Sequence, residues 1–93
     1  MSNRTRTEII ADMLEGMLAP VTITRIMYKS RLSFSQLKEY REYLLYKGLA
    51  KQENELWVIT SKGRAFLEAY NNAMKILEEP MVMNLYESAL DLA

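Results

Sequence analysis

Within nine positions, 35–43, the chain carries Ser35, Gln36, Glu39, Tyr40 and Tyr43. Their chemistry is that of recognition rather than bond-making. The Gln36 amide presents a donor and an acceptor in one plane, as a bidentate pair with adenine requires. A serine hydroxyl pairs with several bases, Glu39 accepts from a cytosine amino group, and Tyr40 or Tyr43 suits a phosphate or a thymine methyl. Catalytic chemistry has few candidates. The 93 residues contain no histidine and no cysteine, which removes histidine general bases, thiol nucleophiles and the usual zinc ligand sets. The twelve acids never alternate with Asn around a glycine, so no calcium loop is expected. An enzyme is therefore not expected, nor a cofactor, a metal or a small-molecule ligand.

Base contacts give preference, whereas affinity for a duplex comes from neutralising phosphates. Arg4 and Arg6, then Arg25, Lys29 and Arg31, then Lys38, Lys47 and Lys51 are the candidate phosphate contacts. Net charge is zero, but it is polarised: residues 1–64 hold eleven basic and seven acidic side chains, whereas 65–93 hold Lys75 against five acids. A basic first part with an acidic tail suits a nucleic-acid binder with a separate self-association arm. Glu53 and Glu55 would repel phosphates, so little is expected of the segment they occupy. Lys62 and Arg64 suit solvent and phosphate equally.

The elements that position these residues follow from periodicity. Ile9, Ile10, Met13, Leu14, Met17 and Leu18 form one face of a helix over 5–18, ended by Ala19-Pro20. The alternation in 21–24 predicts a very short strand, with Thr24 capping a second helix over 25–29. Ser33 is the N-cap of a third helix over 34–47, and Gly48 is its left-handed stop. Phe34, Leu37, Leu44 and Leu45 are read as its inward face, with Arg41 among them; the arginine head is expected to pair with Asp12 or Glu15, or to escape between helices. Two β-type runs, 49–52 and 56–59, flank Glu53-Asn54-Glu55, with Asn54 suited to positive φ in a hairpin turn. Thr60 caps a helix over 61–79, and after Pro80 a further apolar pattern holds Val82, Leu85, Ala89 and Leu92. Met13, Met17 and Met27 read as core filler.

The order helix, short strand, helix, helix, hairpin is that of a winged helix-turn-helix domain. The expected fold is mainly α with a small β-hairpin: a winged helix-turn-helix unit over 1–60 and a C-terminal helical dimerisation arm over 61–93, interrupted at Pro80. The pieces Thr24-Arg25-Ile26-Met27-Tyr28-Lys29, Leu32-Ser33-Phe34-Ser35-Gln36-Leu37 and Ile59-Thr60-Ser61-Lys62-Gly63 together resemble a family of small archaeal winged-helix proteins. The likeness covers about residues 5–79. It implies a DNA-binding transcriptional regulator or chromatin-associated protein, with the third helix in the major groove and dimerisation through a long C-terminal helix paired antiparallel with its partner.

An apolar stripe beyond a closed core needs a partner, and Phe66, Tyr70, Ala73, Ile76, Leu77, Val82 and Leu85 are the candidate homodimer interface. The expectation is a homodimer on double-stranded DNA, with no membrane partner, in the cytoplasm and associated with the nucleoid. No stretch has signal-peptide or membrane-span character. The alternative is a winged helix serving as a protein-protein interaction module in a transcription or chromatin assembly.

Overall fold

A computed structural model describes residues 4–79. Helices α1 (Arg6–Glu15), α2 (Ile23–Lys29) and α3 (Phe34–Tyr46) precede strands β1 (Ala50–Glu53) and β2 (Leu56–Ile59) and the helix α4 (Ser61–Glu78). The fold is mainly helical with one antiparallel hairpin, in the expected order.

Short-range chemistry sets most helix ends. The Thr5 hydroxyl accepts from the Glu8 N–H at 3.1 Å, and the Glu8 carboxylate accepts from the Thr5 N–H at 3.2 Å. Ser33 and Gln36 make the same reciprocal box at the start of α3, at 3.2 and 3.0 Å. Each box satisfies two donors that a helix N-terminus otherwise leaves orphaned. Leu32 and Leu37 are both buried and occupy the two positions of a hydrophobic staple around the second box.

Helices α2 and α3 end alike. Arg31 N–H donates to Tyr28 O and Leu32 N–H to Met27 O, while Gly48 N–H donates to Leu45 O and Leu49 N–H to Leu44 O. Both are Schellman endings, which need a left-handed residue. Gly48 supplies it with φ 71°, but at the α2–α3 corner the residue is Arg31, with φ 52°.

Three boundaries differ from the sequence expectation. First, α1 stops at Glu15 with Gly16 as its cap, well before Pro20, because Met17 N–H turns back to Leu14 O at 2.9 Å, a tightened i→i−3 bond that ends the α pattern. Second, Thr22, not Thr24, caps α2, its hydroxyl accepting from Arg25 N–H at 3.3 Å. The expected strand over 21–24 thus shrinks to Val21, which exchanges two backbone hydrogen bonds with Trp57. Third, the hairpin turn has two residues, Asn54 and Glu55, at φ 51° and 68°. Two successive positive-φ residues match the right-handed twist of the strands, as in a type I′ turn.

The core gathers Ile9, Ile10, Met13 and Leu14 from α1, Met17 from the turn after it, Ile26 from α2, Leu37 and Leu44 from α3, Trp57 and Ile59 from β2, and Leu67 from α4. Met13 and Met17 are fully buried. Helix α4 begins in close contact with the hairpin: a Cβ on Gly63 would overlap the Leu49 carbonyl oxygen and lie 2.7 Å from Ile59 Cγ1. Its first half closes the core through Leu67, with Phe66 and Tyr70 packed alongside. From Asn71 to Glu79 every side chain except half-buried Met74 is exposed.

Candidate nucleic-acid interface

Packing decides which side of α3 faces outward. Leu37 and Leu44 are buried, Tyr40, Arg41 and Tyr43 are half-buried, and the other residues from Phe34 to Lys47 are exposed. At 100° per residue the outermost stripe is Ser35, Glu39, Glu42 and Tyr46, with Lys38 beside it. Ser35 and Glu39 therefore lie where the sequence put them. Glu42 was missed, although it follows Glu39 at helical spacing on the same side.

Phe34 and Leu45, expected inside, are 74% and 45% exposed. The core side is the line Leu37, Arg41, Leu44 with Tyr40, which leaves Phe34 and Leu45 toward its outer edge. Hydropathy alone had assigned them inward. Arg41 makes no ion pair with Asp12 or Glu15, since Asp12 is held by Arg4 at 2.9 Å; its side chain is half-buried at the margin of the core.

Three of the five candidate base readers have other engagements. Gln36 is exposed, and its Oε1 accepts from Ser33 N–H, which fixes the amide while leaving one lone pair of that oxygen and the NH2 group for an outside partner. Tyr40 and Tyr43 pack against the core. The Arg6 guanidinium stands 4.4 Å from the Tyr43 ring centroid and 5.9 Å from that of Tyr40, and the Lys47 ammonium lies 5.8 and 5.5 Å from the Tyr43 and Tyr46 rings. Such contacts contribute about 0.5–1 kcal/mol at exposed sites, and they join the start of α1 to the flank of α3.

Several basic side chains bond backbone carbonyls of other segments. Arg4 donates to Asp12, to Ser30 O at 2.7 Å and to Arg31 O at 3.1 Å, and only 18% of its side chain is exposed. It is thus a tie across the α2–α3 corner, not the free phosphate ligand expected from sequence. Lys62 Nζ donates to Lys47 O at 2.7 Å and Arg64 to Leu18 O at 3.3 Å. Lys47 caps the end of α3, where a cation satisfies an orphan carbonyl and suits the helix dipole; Leu18 lies in the loop after α1. The Thr60 hydroxyl donates to Gly48 O at 2.6 Å and accepts from Gly63 N–H at 3.0 Å. The run Thr60-Ser61-Lys62-Gly63 is therefore a clasp holding the start of α4 on the end of α3. Its signal was in the sequence as a cap, a lysine and a glycine directly after a hairpin.

The remaining candidate cations stay outward. Arg25, Lys29, Arg31 and Lys38 are exposed and have no ion-pair partner among the described residues. Arg25 and Lys29 lie one turn apart on α2 and project from one face, Arg31 sits in the corner, and Lys38 is on α3. Lys51 pairs with Glu53 at 3.6 Å on the exposed hairpin, an interaction contributing at most about 1 kcal/mol. Glu53, at the end of β1, and Glu55, in the turn itself, both lie exposed at the hairpin tip.

On α4, Ala73, Ile76 and Leu77 are exposed, the last two at 67% and 76%. Phe66 and Tyr70 are stacked with centroids 6.3 Å apart and are partly taken up by the core. Burial, then the carboxylates of Glu8, Asp12 and Glu78, push the Tyr70 hydroxyl above its ordinary pKa. Val82 and Leu85 lie outside the described residues. An open groove of about 410 Å³ between α1 and α4 is bordered by Glu15, Arg64, Glu68 and Lys75, two acids and two cations that select no ligand charge. Among the described residues no group of three or more acids could hold a metal ion, and no helix is long and apolar enough to cross a membrane.

Comparison with known proteins bears on this architecture. No curated protein sequence is significantly similar to the chain. Among solved structures, the crystal structure of Sso10a-2, a DNA-binding protein from Sulfolobus solfataricus, superposes with a TM-score of 0.69 at 27% sequence identity, covering 96% of this chain and 93% of that one. Residues 3–78 match the winged helix-turn-helix family. With α2 and α3 as the helix-turn-helix and the β1–β2 hairpin as the wing, the chain belongs to the winged helix-turn-helix family.

Proposed function

We propose that the chain is a homodimeric, sequence-preferring double-stranded DNA-binding protein that acts as a transcriptional regulator, with α3 lying in the major groove. The observation that carries this reading is the α2–α3 corner, where Arg25, Lys29, Arg31 and Lys38 stand exposed and unpaired among the described residues beside the polar outward face of α3. The structural likeness to a DNA-binding protein supports it. Arg25, Lys29, Arg31 and Lys38 are the principal phosphate ligands, with Arg6, Lys47 and Lys51 in support. Ser35 and Glu39 read bases directly, Gln36 does so with the amide NH2 and the lone pair its cap leaves open, and Tyr40 and Tyr43 do so only by leaving their present partners. Glu39 and Glu42 penalise indiscriminate approach to phosphates and favour preference for particular sites over uniform coating of DNA. The wing, with Glu53 and Glu55 at its tip, hangs clear of the backbone. Dimerisation runs through Ala73, Ile76 and Leu77, with Val82 and Leu85 continuing the interface, and sets two copies of α3 about one DNA turn, roughly 34 Å, apart.

The test is an electrophoretic shift of random and selected duplexes at two salt concentrations. The expected result is binding at about 50 mM salt that weakens steeply as salt rises, with a log–log slope reduced by about 0.9 on removing one phosphate ligand such as Lys29 or Lys38. The four carboxylates on α3 and the wing favour a second reading, a winged helix that docks a basic protein surface. A folded dimer that shifts no duplex at low salt would select it.

A further inference from the structure

Phe34 is a large apolar side chain exposed on the first turn of α3, and nothing in the contacts already described uses it. Its neighbours are engaged. Ser33 and Gln36 bond each other's backbone N–H groups, and Leu32 and Leu37 are buried in the core. These four fix the start of the helix rigidly, so the direction in which the Phe34 ring projects is set before any partner arrives. Among the side chains from Leu32 to Leu37, Phe34 is the one that is exposed and has neither a hydrogen bond nor a place in the core, since Ser33, Ser35 and Gln36 bond one another's atoms.

In helix-turn-helix docking it is the N-terminal part of the recognition helix that meets the base edges. The major-groove edges of the four base pairs present hydrogen-bond donors and acceptors and one apolar group, the C5 methyl of thymine. An aromatic ring with two rotatable bonds, held on a capped helix end, loses little freedom in packing against that methyl. We infer that Phe34 is a specificity-determining residue that reads thymine through its methyl group. The inference rests on the proposed insertion of α3 in the major groove and adds to it a preference for thymine at the position facing the first turn.

The experiment compares binding to an alternating A–T duplex of about 30 base pairs, long enough for two half-sites one helical turn apart, with binding to the same duplex carrying deoxyuridine for thymidine. The replacement removes the methyl and keeps every hydrogen-bonding group. Wild-type protein is expected to bind the methyl-free duplex about fourfold more weakly per half-site, the effect of one unburied methyl group. Phe34→Ala is expected to bind the A–T duplex more weakly and to show no difference between the two duplexes, while keeping the wild-type melting temperature because the side chain is already exposed. Phe34→Leu, which retains an apolar contact, is expected to keep part of the difference. Equal binding of wild type to both duplexes, or an undiminished difference in Phe34→Ala, would overturn the assignment while leaving DNA binding intact. Absence of any shift by wild type at low salt would instead remove the underlying reading, and the assignment with it.

Discussion

Arg4 and Asp12 are joined at 2.9 Å, and the second terminal nitrogen of the same guanidinium holds the carbonyls of Ser30 and Arg31. One side chain thus fastens α1 to the turn that sets the direction of α3. Hydrogen bonds to charged groups contribute about 1.5–3 kcal/mol each when the surroundings are partly buried, and Arg4 is largely covered. Arg4→Ala is expected to lower stability by about 2 kcal/mol and to weaken DNA binding while leaving the salt slope unchanged. A lysine cannot span the three acceptors, so Arg4→Lys should recover little. Chemical denaturation and salt titration check both parts; a slope falling by about 0.9 would instead make Arg4 a phosphate ligand.

Arg31 occupies the left-handed position of a Schellman ending where glycine is the usual occupant. A non-glycine side chain there costs roughly 1–2 kcal/mol, partly offset by the greater freedom of glycine in the unfolded chain. Arg31→Gly is therefore expected to stabilise the domain by about 1 kcal/mol. The same change should weaken DNA binding and reduce the salt slope by about 0.9, because it removes an exposed cation. Opposite signs in thermal unfolding and in binding would show that strain is kept at this corner for function.

Gly63 lies so close to the Leu49 carbonyl and to Ile59 that a methyl group there must push α4 away from the hairpin. Gly63→Ala is expected to destabilise by about 2 kcal/mol or more, within the range of overpacked cores, although alanine is the better helix former. The obstruction is backbone, which cannot rotate aside as a flexible side-chain end can. Urea denaturation of the variant measures the effect.

Ile76 and Leu77 expose their side chains on the last turns of α4. If they meet a second copy, light scattering should give a mass of about 22 kDa, twice the 10.9 kDa of one chain. The double variant Ile76→Lys, Leu77→Glu should give the single-chain mass and keep the helical circular dichroism of the domain. DNA affinity should then fall by at least tenfold, since two linked half-sites bind far more tightly than one. A wild-type monomer at tens of micromolar would remove the dimer from the proposal.

Elements whose signals act over a few residues were legible in the sequence. Ser33 before α3, Gly48 after it and Thr60 before α4 each act within a turn of the chain, and each places its boundary as expected, whereas the hairpin around Asn54 was legible but its exact turn, Asn54 with Glu55, was not. Thr24 misled because Thr22 offers the same hydroxyl two residues earlier, with Ile23 then opening the helix; both are plausible caps by composition. The candidate site was legible in outline only: Ser35, Glu39, Arg25, Lys29, Arg31 and Lys38 face outward, whereas Arg4 faces inward and Gln36 is held by its own cap.

The sequence by itself determined the order of helices and strands, the caps and stops that bound α3, and the winged helix-turn-helix character of the whole, because these depend on hydrogen bonds and periodicities between near neighbours. Only the tertiary structure decided that Phe34 faces solvent, that Asp12 takes Arg4 and not Arg41, and that Lys62 and Arg64 bond backbone carbonyls of other segments. Those outcomes depend on partners 8 to 46 residues away in the chain. Periodicity reports that a face is apolar but not which edge of it a distant element covers, and charge reports that a cation is present but not which distant carbonyl folding brings within its reach.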